Sequence, residues 1–569
     1  MDVLGISCYY HDAAAALVRD GVVIAAAEEE RFSRRKHDHG FPRNAIDFCL
    51  RRGGVRSDAL DYVVFYEKPF VKFERLVKTV FASYPRTAGL FQEAVFAWAA
   101  QKLWIKQELQ RSLAAPEDRI LFVDHHLSHA ASAFYCSPFE RAAILTVDGV
   151  GEWTTSARGA GDGLSLRLTE ETRFPHSVGL FYSAFTAFLG FEVNEGEYKV
   201  MGMAPYGTPK YVDRVREVIQ WDERGGVWLD LRYFSHPWSL TRMFSPRFES
   251  LFGRPRRPED RDVMDPYYLD LAASVQAVTE EVMLAMARNL HQETGLSSLC
   301  MAGGVALNSV ANGRIRRETP FTSLYIQPAA GDSGGAVGAA LYVTHAVLGR
   351  PRGFVMEHAY WGDEHGDACI EAALRAEGAA FTRWDDDEAL LSRVAESLAA
   401  GKVAGWYQGR FEWGPRALGN RSILADPRHA GMKDTVNLKV KFREPFRPFA
   451  PAVLAERARD YFDIADPAEH PARFMLLVAP VRKERRAELQ ATTHVDGSAR
   501  LQTVFPEANP RYHRLIQRFG EATGVPVLLN TSFNLKGEPI VNTPADALSS
   551  FRRSGLDLLA MGRYLVEKK

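Results

Sequence analysis

The sequence predicts an α/β chain of two domains, the first built on a duplicated plan. The first observation is an opening strand, Val3-Leu4-Gly5-Ile6-Ser7, that runs into the polar turn Tyr10-His11-Asp12 and then into two more strands, residues 13–18 and 22–27, joined at Arg19-Asp20-Gly21. Asp-Gly between apolar runs signals a hairpin, because both residues tolerate the left-handed backbone of a tight turn. The second is the return of this order. A strand over 143–147 ends at Asp148, a second covers 154–158, residues 160–163 turn, and a third covers 164–169. The third is the break at Gly349-Arg350-Pro351-Arg352-Gly353-Phe354, after which strands and helices resume near Ile370. Domain one is therefore set at residues 1–355 and domain two at 370–569, with the boundary between Leu348 and Ile370.

Each copy places a polar loop behind its first strand, so two loops can face each other across a cleft. This arrangement resembles the actin, Hsp70 and sugar-kinase superfold. Between the copies, residues 42–119 read as a mostly helical insert rich in aromatic and basic side chains. After it comes Asp124-His125-His126-Leu127-Ser128-His129. His125 and His129 are four apart, so on a helix their imidazoles share one face within reach of one ion. A bare pair at this spacing is also common as plain structure, and the strand-end acid Asp148 with the glycines behind it strengthens the ligand reading. Residues 269–293 have helical spacing and stop at Thr294-Gly295. A strand over 299–302 then leads to the glycine turn Gly303-Gly304, whose amides can approach a phosphate or nucleoside. A strand over 323–327 precedes Gly331-Asp332-Ser333-Gly334-Gly335, a second strand-end acid before a helix start, which makes Asp332 a further candidate metal ligand.

Composition excludes several classes. Lys+Arg at 70 against Asp+Glu at 71 gives a net charge of -1, which leaves no overall basic footprint for a polyanion such as tRNA. The start lacks the charged and apolar regions of a signal peptide, and the apolar run at 94–100 is far short of a membrane span. Five cysteines without a CxxC pair (Cys8, Cys49, Cys136, Cys300, Cys369) read as scattered, reduced, mostly core thiols of a cytoplasmic protein.

The second domain carries basic loops. Residues 409–424 pack Arg410, Arg416 and Arg421 among glycines and a proline, a run too irregular for an amphipathic helix. Lys439, Lys441, Arg443 and Arg447 follow, interleaved with apolar residues, then the turn 494–503 with Arg500, then Asn530-Thr531-Ser532-Phe533-Asn534 after a strand over 525–529. Any one of these reads equally as a solvated charged face. Together, each tied to Gly, Pro or Asn turns, they point to a polyphosphate pocket.

On these motifs the chain resembles the NodU/CmcH family of O-carbamoyltransferases, to which the tobramycin carbamoyltransferase belongs. The resemblance rests on residues 10–17, on Glu28-Glu29-Glu30-Arg31-Phe32-Ser33-Arg34-Arg35-Lys36-His37, on residues 124–129, on Gly414-Pro415-Arg416-Ala417-Leu418-Gly419 and on residues 530–534. It implies a TsaD-like carbamoyl-transfer domain followed by a YrdC-like domain that makes carbamoyl-adenylate from ATP and carbamoyl phosphate, with Mg(II) accompanying the ATP. It further implies that Arg416, Lys441, Arg447, Arg500, Asn530 and Ser532 hold anionic groups, and that Lys36, in the first domain, meets the adenylate. His125, His129, Asp148 and Asp332 match the metal positions, with Fe(II) or another divalent ion, and His11 the base. The alternative for His11 is a turn histidine bonded to backbone, and for Lys36 a surface charge cluster. The departure is Tyr9, where the tobramycin enzyme has an acid, which argues against a cationic aminoglycoside acceptor. The acceptor expected is a small molecule bearing a hydroxyl, with neither membrane nor nucleic acid as partner and with a homodimer as one possible assembly. Two other readings stand beside this one, a threonylcarbamoyl-type tRNA-modifying enzyme and a non-catalytic ATP-binding switch of the actin-like fold.

Overall fold

The computed structural model describes residues 1–84, 86–87, 102–239, 241–257, 259–260 and 263–568, so the apolar run at 94–100 lies outside the described residues. Contacts divide the chain into two units, Met1–Ala26 with His39–Val355, and Ala27–Asp38 with Met356–Lys569.

The first unit holds two sheets with one topology. The strands of the first are β1 (Asp2–Ser7), β2 (Ala14–Arg19), β3 (Val22–Glu28), β4 (Tyr62–Phe65) and β5 (Ile120–Phe122), in the order β3-β2-β1-β4-β5. β1 is antiparallel to β2 and parallel to β4, with Asp2 opposite Arg19 and Ile6 opposite Phe65. The second sheet uses β6 (Arg141–Val147), β7 (Thr154–Asp162) and β8 (Ser165–Arg173), and, beyond the small hairpin β9 (Ile219–Trp221) and β10 (Val227–Leu229), β11 (Ser298–Ala302) and β12 (Ser323–Ile326). Its order, β12-β11-β6-β7-β8, repeats the first. This is the duplicated α/β plan that the sequence predicts.

Two details differ from expectation. The insert at 42–119 has helices Arg43–Gly53, Pro69–Ala82 and Ile105–Leu113, but it also contains β4, which completes the first sheet. Val63, Val64 and Phe65 are buried on both faces, so the strand shows no alternation. The expected turn at 160–163 is displaced, because Ala160, Gly161 and Asp162 still pair with Ala143, Ala142 and Arg141 and extend β7.

A helix follows the last strand of each sheet, His125–Phe134 after β5 and Gly334–Tyr342 after β12. The two touch at Gly338, where a β-carbon would fall 1.8 Å from the Ser128 carbonyl oxygen, so only glycine allows this approach. The long helix Pro266–Thr294 starts at Asp265, whose side chain accepts from the Tyr267 amide, and stops at Gly295 as its sequence predicts.

The second unit is a mixed eight-stranded sheet. Its strands are β13 (Thr382–Arg383), β14 (Ala404–Tyr407), β15 (Arg421–Ala425), β16 (Ala450–Leu454), β17 (Val478–Pro480), β18 (Ser498–Arg500), β19 (Gln502–Val504), β20 (Val527–Ser532), β21 (Leu558–Met561) and β22 (Tyr564–Glu567). The order is β13-β22-β21-β14-β15-β20-β16-β19, while β17 and β18 pair separately. Helices Asp387–Ala399 and Pro510–Thr523 bury Leu391, Leu398, Leu515 and Phe519 against Trp406, Leu424 and Leu528. Helices Asp367–Ala376 and Pro544–Arg552 bury Leu374 and Phe551 with Tyr407, Ile423 and Leu529. Each such side chain contributes roughly 1.5–3 kcal/mol on removal from water.

Three expectations need correction here. Asn530 and Ser532 lie within β20 rather than beyond it, and Arg421 begins β15 rather than ending a loop. Lys36, expected in the first domain, belongs by contacts to the second unit, because residues 27–38 pack on loops around Gly414 and Ile540. Among the described residues no helix is long and apolar enough to cross a membrane. All five cysteines are free thiols, with Cys369 exposed and the other four buried.

Candidate active site

In the first unit the loops behind equivalent strands converge. The loop after β1 carries His11 between Tyr9 and Asp12, which both adopt positive φ, 74° and 49°. His11 Nδ1 lies 3.0 Å from Asp12 Oδ2, and its Nε2 lies 3.9 Å from Asp332 Oδ2. The helix after β5 presents His125 and His129 with their Nε2 atoms 3.0 Å apart. Asp148, after β6, sets Oδ2 3.0 Å from His125 Nε2 and 3.4 Å from His129 Nε2, while its Oδ1 accepts the Gly304 amide at 2.9 Å. Asp332, after β12, places Oδ1 3.7 and 3.5 Å from the same two nitrogens.

This quartet suits a divalent ion. Each residue offers one donor atom, and all four atoms lie within 4.8 Å of one another. Metal–donor bonds of about 2.1 Å place neighbouring donors about 3 Å apart. Two Nε2 atoms at 3.0 Å repel unless a proton or an ion lies between them, and the buried Asp332 Oδ1 faces both of those nitrogens at 3.5–3.7 Å, too far for a short hydrogen bond to either. Both observations fit one shared ion.

The electrostatics agree. Burial opposes protonation of His129, but hydrogen bonds and charge from Asp148 and Asp332 override it and raise it to about 9. Burial likewise opposes the charge on His11, which Asp332 and Asp12 raise to about 10. Asp148 is buried, yet its bonds to His125 and His129 hold it well below the usual carboxylate range. His126 points away, with Nδ1 2.8 Å from Thr146 Oγ1, and burial followed by the neighbouring imidazoles pushes it down to about 3.

Supporting residues here escaped the sequence reading. Glu152 accepts the amides of His125 at 3.1 Å and Lys68 at 2.8 Å, tying the loop of Asp148 to the helix of His125. Tyr66 donates its hydroxyl to Asp332 at 3.4 Å. Their only sequence signal is position, next to a strand end. Tyr9, where the departure was noted, donates its hydroxyl to Glu108.

The second unit gathers cations instead. Lys441, 3% exposed, donates to the Ser532 carbonyl at 2.7 Å, to Ser532 Oγ at 3.1 Å and to Asn534 Oδ1. Its charge is held well below the usual lysine range by burial and then by Arg443, Arg447 and Lys36. Arg500 is depressed in the same way by burial, Arg416, Arg443 and Arg447. Like charges crowded in a buried place fit an anionic ligand with several oxygens. Arg447 faces Glu444 at 3.6 Å. Asn530 plays a bracing part, donating to the Ala417 carbonyl at 3.2 Å and to Gln502 Oε1 at 2.7 Å. Glu412 Oε1 accepts the amides of Leu418 and Asn420 and shapes the loop that carries Arg416.

Comparison with known proteins gives the family of the chain. The family described as Carbamoyltransferase N-terminus matches residues 2–341, and Carbamoyltransferase C-terminus matches residues 395–568. The uncharacterized protein sll1178 of Synechocystis sp. is similar at 48% identity over 100% of this chain and 96% of its own length. Nodulation protein NolNO of Sinorhizobium fredii is 41% identical over 99% of this chain and 79% of its own. The 3'-hydroxymethylcephem-O-carbamoyltransferase of Amycolatopsis lactamdurans is 35% identical over 50% of this chain and 52% of its own. The family matches and the named relatives define a group-transfer enzyme. The chain belongs to the carbamoyltransferase family.

Proposed function

We propose that this carbamoyltransferase is ATP-dependent and moves the carbamoyl group of carbamoyl phosphate, by way of carbamoyl-adenylate, to a hydroxyl of a small-molecule acceptor. The observation that carries the reading is the gathering of Arg416, Arg443, Arg447 and Arg500, each partly buried, around the buried Lys441, an arrangement of like charges that suits a multiply charged anion. In the first half-reaction water cleaves carbamoyl phosphate to carbamate and phosphate. A carbamate oxygen then attacks the α-phosphorus of ATP, supplied with Mg(II), and pyrophosphate leaves. Fixed cations hold the phosphate charge with no proton transfer at that moment. In the second half-reaction the acceptor oxygen attacks the carbamoyl carbon and AMP leaves.

His125, His129, Asp148 and Asp332 would hold the divalent ion, and a set of imidazoles and carboxylates favours Fe(II) over a thiolate-type zinc site. Such an ion supplies Lewis-acid polarisation of an oxygen. His11, adjoining Asp332, takes the acceptor hydroxyl proton at Nε2. The carboxylates that raise His11 are those that would carry the ion, and a cation there offsets their charge and returns the imidazole toward neutrality. The hydroxymethyl acceptor in the name of the cephem relative supports a hydroxyl acceptor for this chain.

The test is pyrophosphate release from ATP. Release that requires carbamoyl phosphate supports the reading. ATP hydrolysis indifferent to carbamoyl phosphate would instead favour a nucleotide switch.

A further inference from the structure

Residues 27–38 group with the second unit, although the chain reaches them from β3. Two of them grip a single residue. Glu28 accepts the amide N–H of Gly414 at 2.7 Å, and Arg31 donates to the Gly414 carbonyl at 2.7 Å. Both side chains are buried, at 4% and 3% exposure. Gly414 has φ 100°, a conformation that strains any side-chain-bearing residue, and it stands two residues before Arg416. One guanidinium serves two carboxylates, since Arg31 Nη1 lies 3.0 Å from Glu30 and Nε 3.6 Å from Glu28.

The same segment reaches the opposite wall. Arg34 donates to the carbonyls of Ile540 at 2.6 Å and Pro539 at 2.9 Å. That turn follows Glu538, whose carbonyl accepts Asn534 Nδ2 at 2.7 Å, and Asn534 Oδ1 in turn accepts the Lys441 ammonium. Charged groups aimed at the backbone of two ligand-facing loops do more than fill space. They fix where the cations on those loops point.

We propose that residues 27–38 form a strap built into the anion site, in which Glu28 and Arg31 are positioning residues for Arg416 and Arg34 is a positioning residue for Lys441. The proposal rests on the reading of that site as the place where carbamoyl phosphate and ATP react.

A double-mutant cycle on the full chain tests it. Arg31→Met should lower kcat/KM for pyrophosphate release about tenfold, the scale of one charged hydrogen bond. In an Arg416→Ala background the same change should add less than about twofold, because its effect passes through Arg416. Factors that multiply across the cycle, or unchanged release in Arg31→Met, would overturn the proposal. Should Arg31→Met not fold, Arg34→Met against Lys441→Ala carries the same cycle, since Arg34 is partly exposed. Calorimetric binding of inorganic pyrophosphate separates the two ideas. Binding that weakens about tenfold in Arg31→Met, in a protein that makes no pyrophosphate from ATP, keeps the strap and removes the adenylate chemistry. Equal binding in wild type and variant removes the strap.

Discussion

Lys441→Met sets function against stability. The ammonium is buried at 3% exposure and donates to neutral oxygens of Ser532 and Asn534, while Arg443, Arg447 and Lys36 repel it. Its folded value therefore lies well below 10.5, with burial as the largest cause. Each unit of such a depression is about 1.4 kcal/mol of native-state destabilisation by the charged form. Removing the charge should stabilise the ligand-free protein by at least that scale, as replacing buried charges often does. The sign follows from linkage. Above 10.5 neither state carries the charge and there is no penalty, and the penalty grows as pH falls from 10.5 through the folded value. Wild-type stability should thus rise with alkaline pH relative to Lys441→Met. The same variant should lose about ten- to a hundredfold in pyrophosphate release, from roughly 1.5–3 kcal/mol of a charge-assisted contact. Denaturant melts at several pH values, with and without pyrophosphate, measure both sides. A variant that is less stable than wild type without ligand would refute the like-charge argument, and one that releases pyrophosphate at the wild-type rate would place the anion elsewhere.

His125→Ala/His129→Ala should lose bound divalent metal by elemental analysis and lose carbamoyl transfer, while pyrophosphate release persists. Removing the metal from wild type by chelation should reproduce this split, and re-addition of Fe(II) should reverse it. Lys36→Ala, given its place in the second unit, should lower pyrophosphate release rather than spare it, and wild-type release would return Lys36 to the transfer step. Gly338→Ala should destabilise the protein by about 1–3 kcal/mol through overpacking, read as a lower melting temperature, because its β-carbon meets the Ser128 carbonyl.

The repeat was legible where turns announced it. Asp20-Gly21 fixed the first hairpin, and the acids Asp148 and Asp332 stood out because a carboxylate at the end of a buried strand has no packing reason to be there. The imidazole pair was legible because a helix puts positions four apart on one face, and the 3.0 Å separation of His125 and His129 follows from that geometry. β4 was not legible, since Tyr62-Val63-Val64-Phe65 is too short and too uniformly apolar to tell from a helix segment. Nor was the strap. Glu28 and Gly414 are separated by 386 residues, and nothing local in a run of acids and arginines says which distant peptide it will hold. Glu152 was invisible for a similar reason, because its partners are backbone amides, which carry no residue identity.

The repeated sheet order makes the first unit a pair of halves, and the candidate base and metal ligands divide between them. His11, His125 and His129 come from the half that ends after β5 and its helix, and Asp148 and Asp332 from the half that begins at β6. Moreover, they occupy matching stations: the loops behind β1 and β6 give His11 and Asp148, and the segments behind β5 and β12 give the imidazoles, on the helix, and Asp332, in the turn before the helix. Neither half on its own owns both the imidazole pair and the two acids of the quartet. Chemistry needing both exists only where the halves meet, so the symmetry of the backbone is kept while its side chains have been divided into complementary roles.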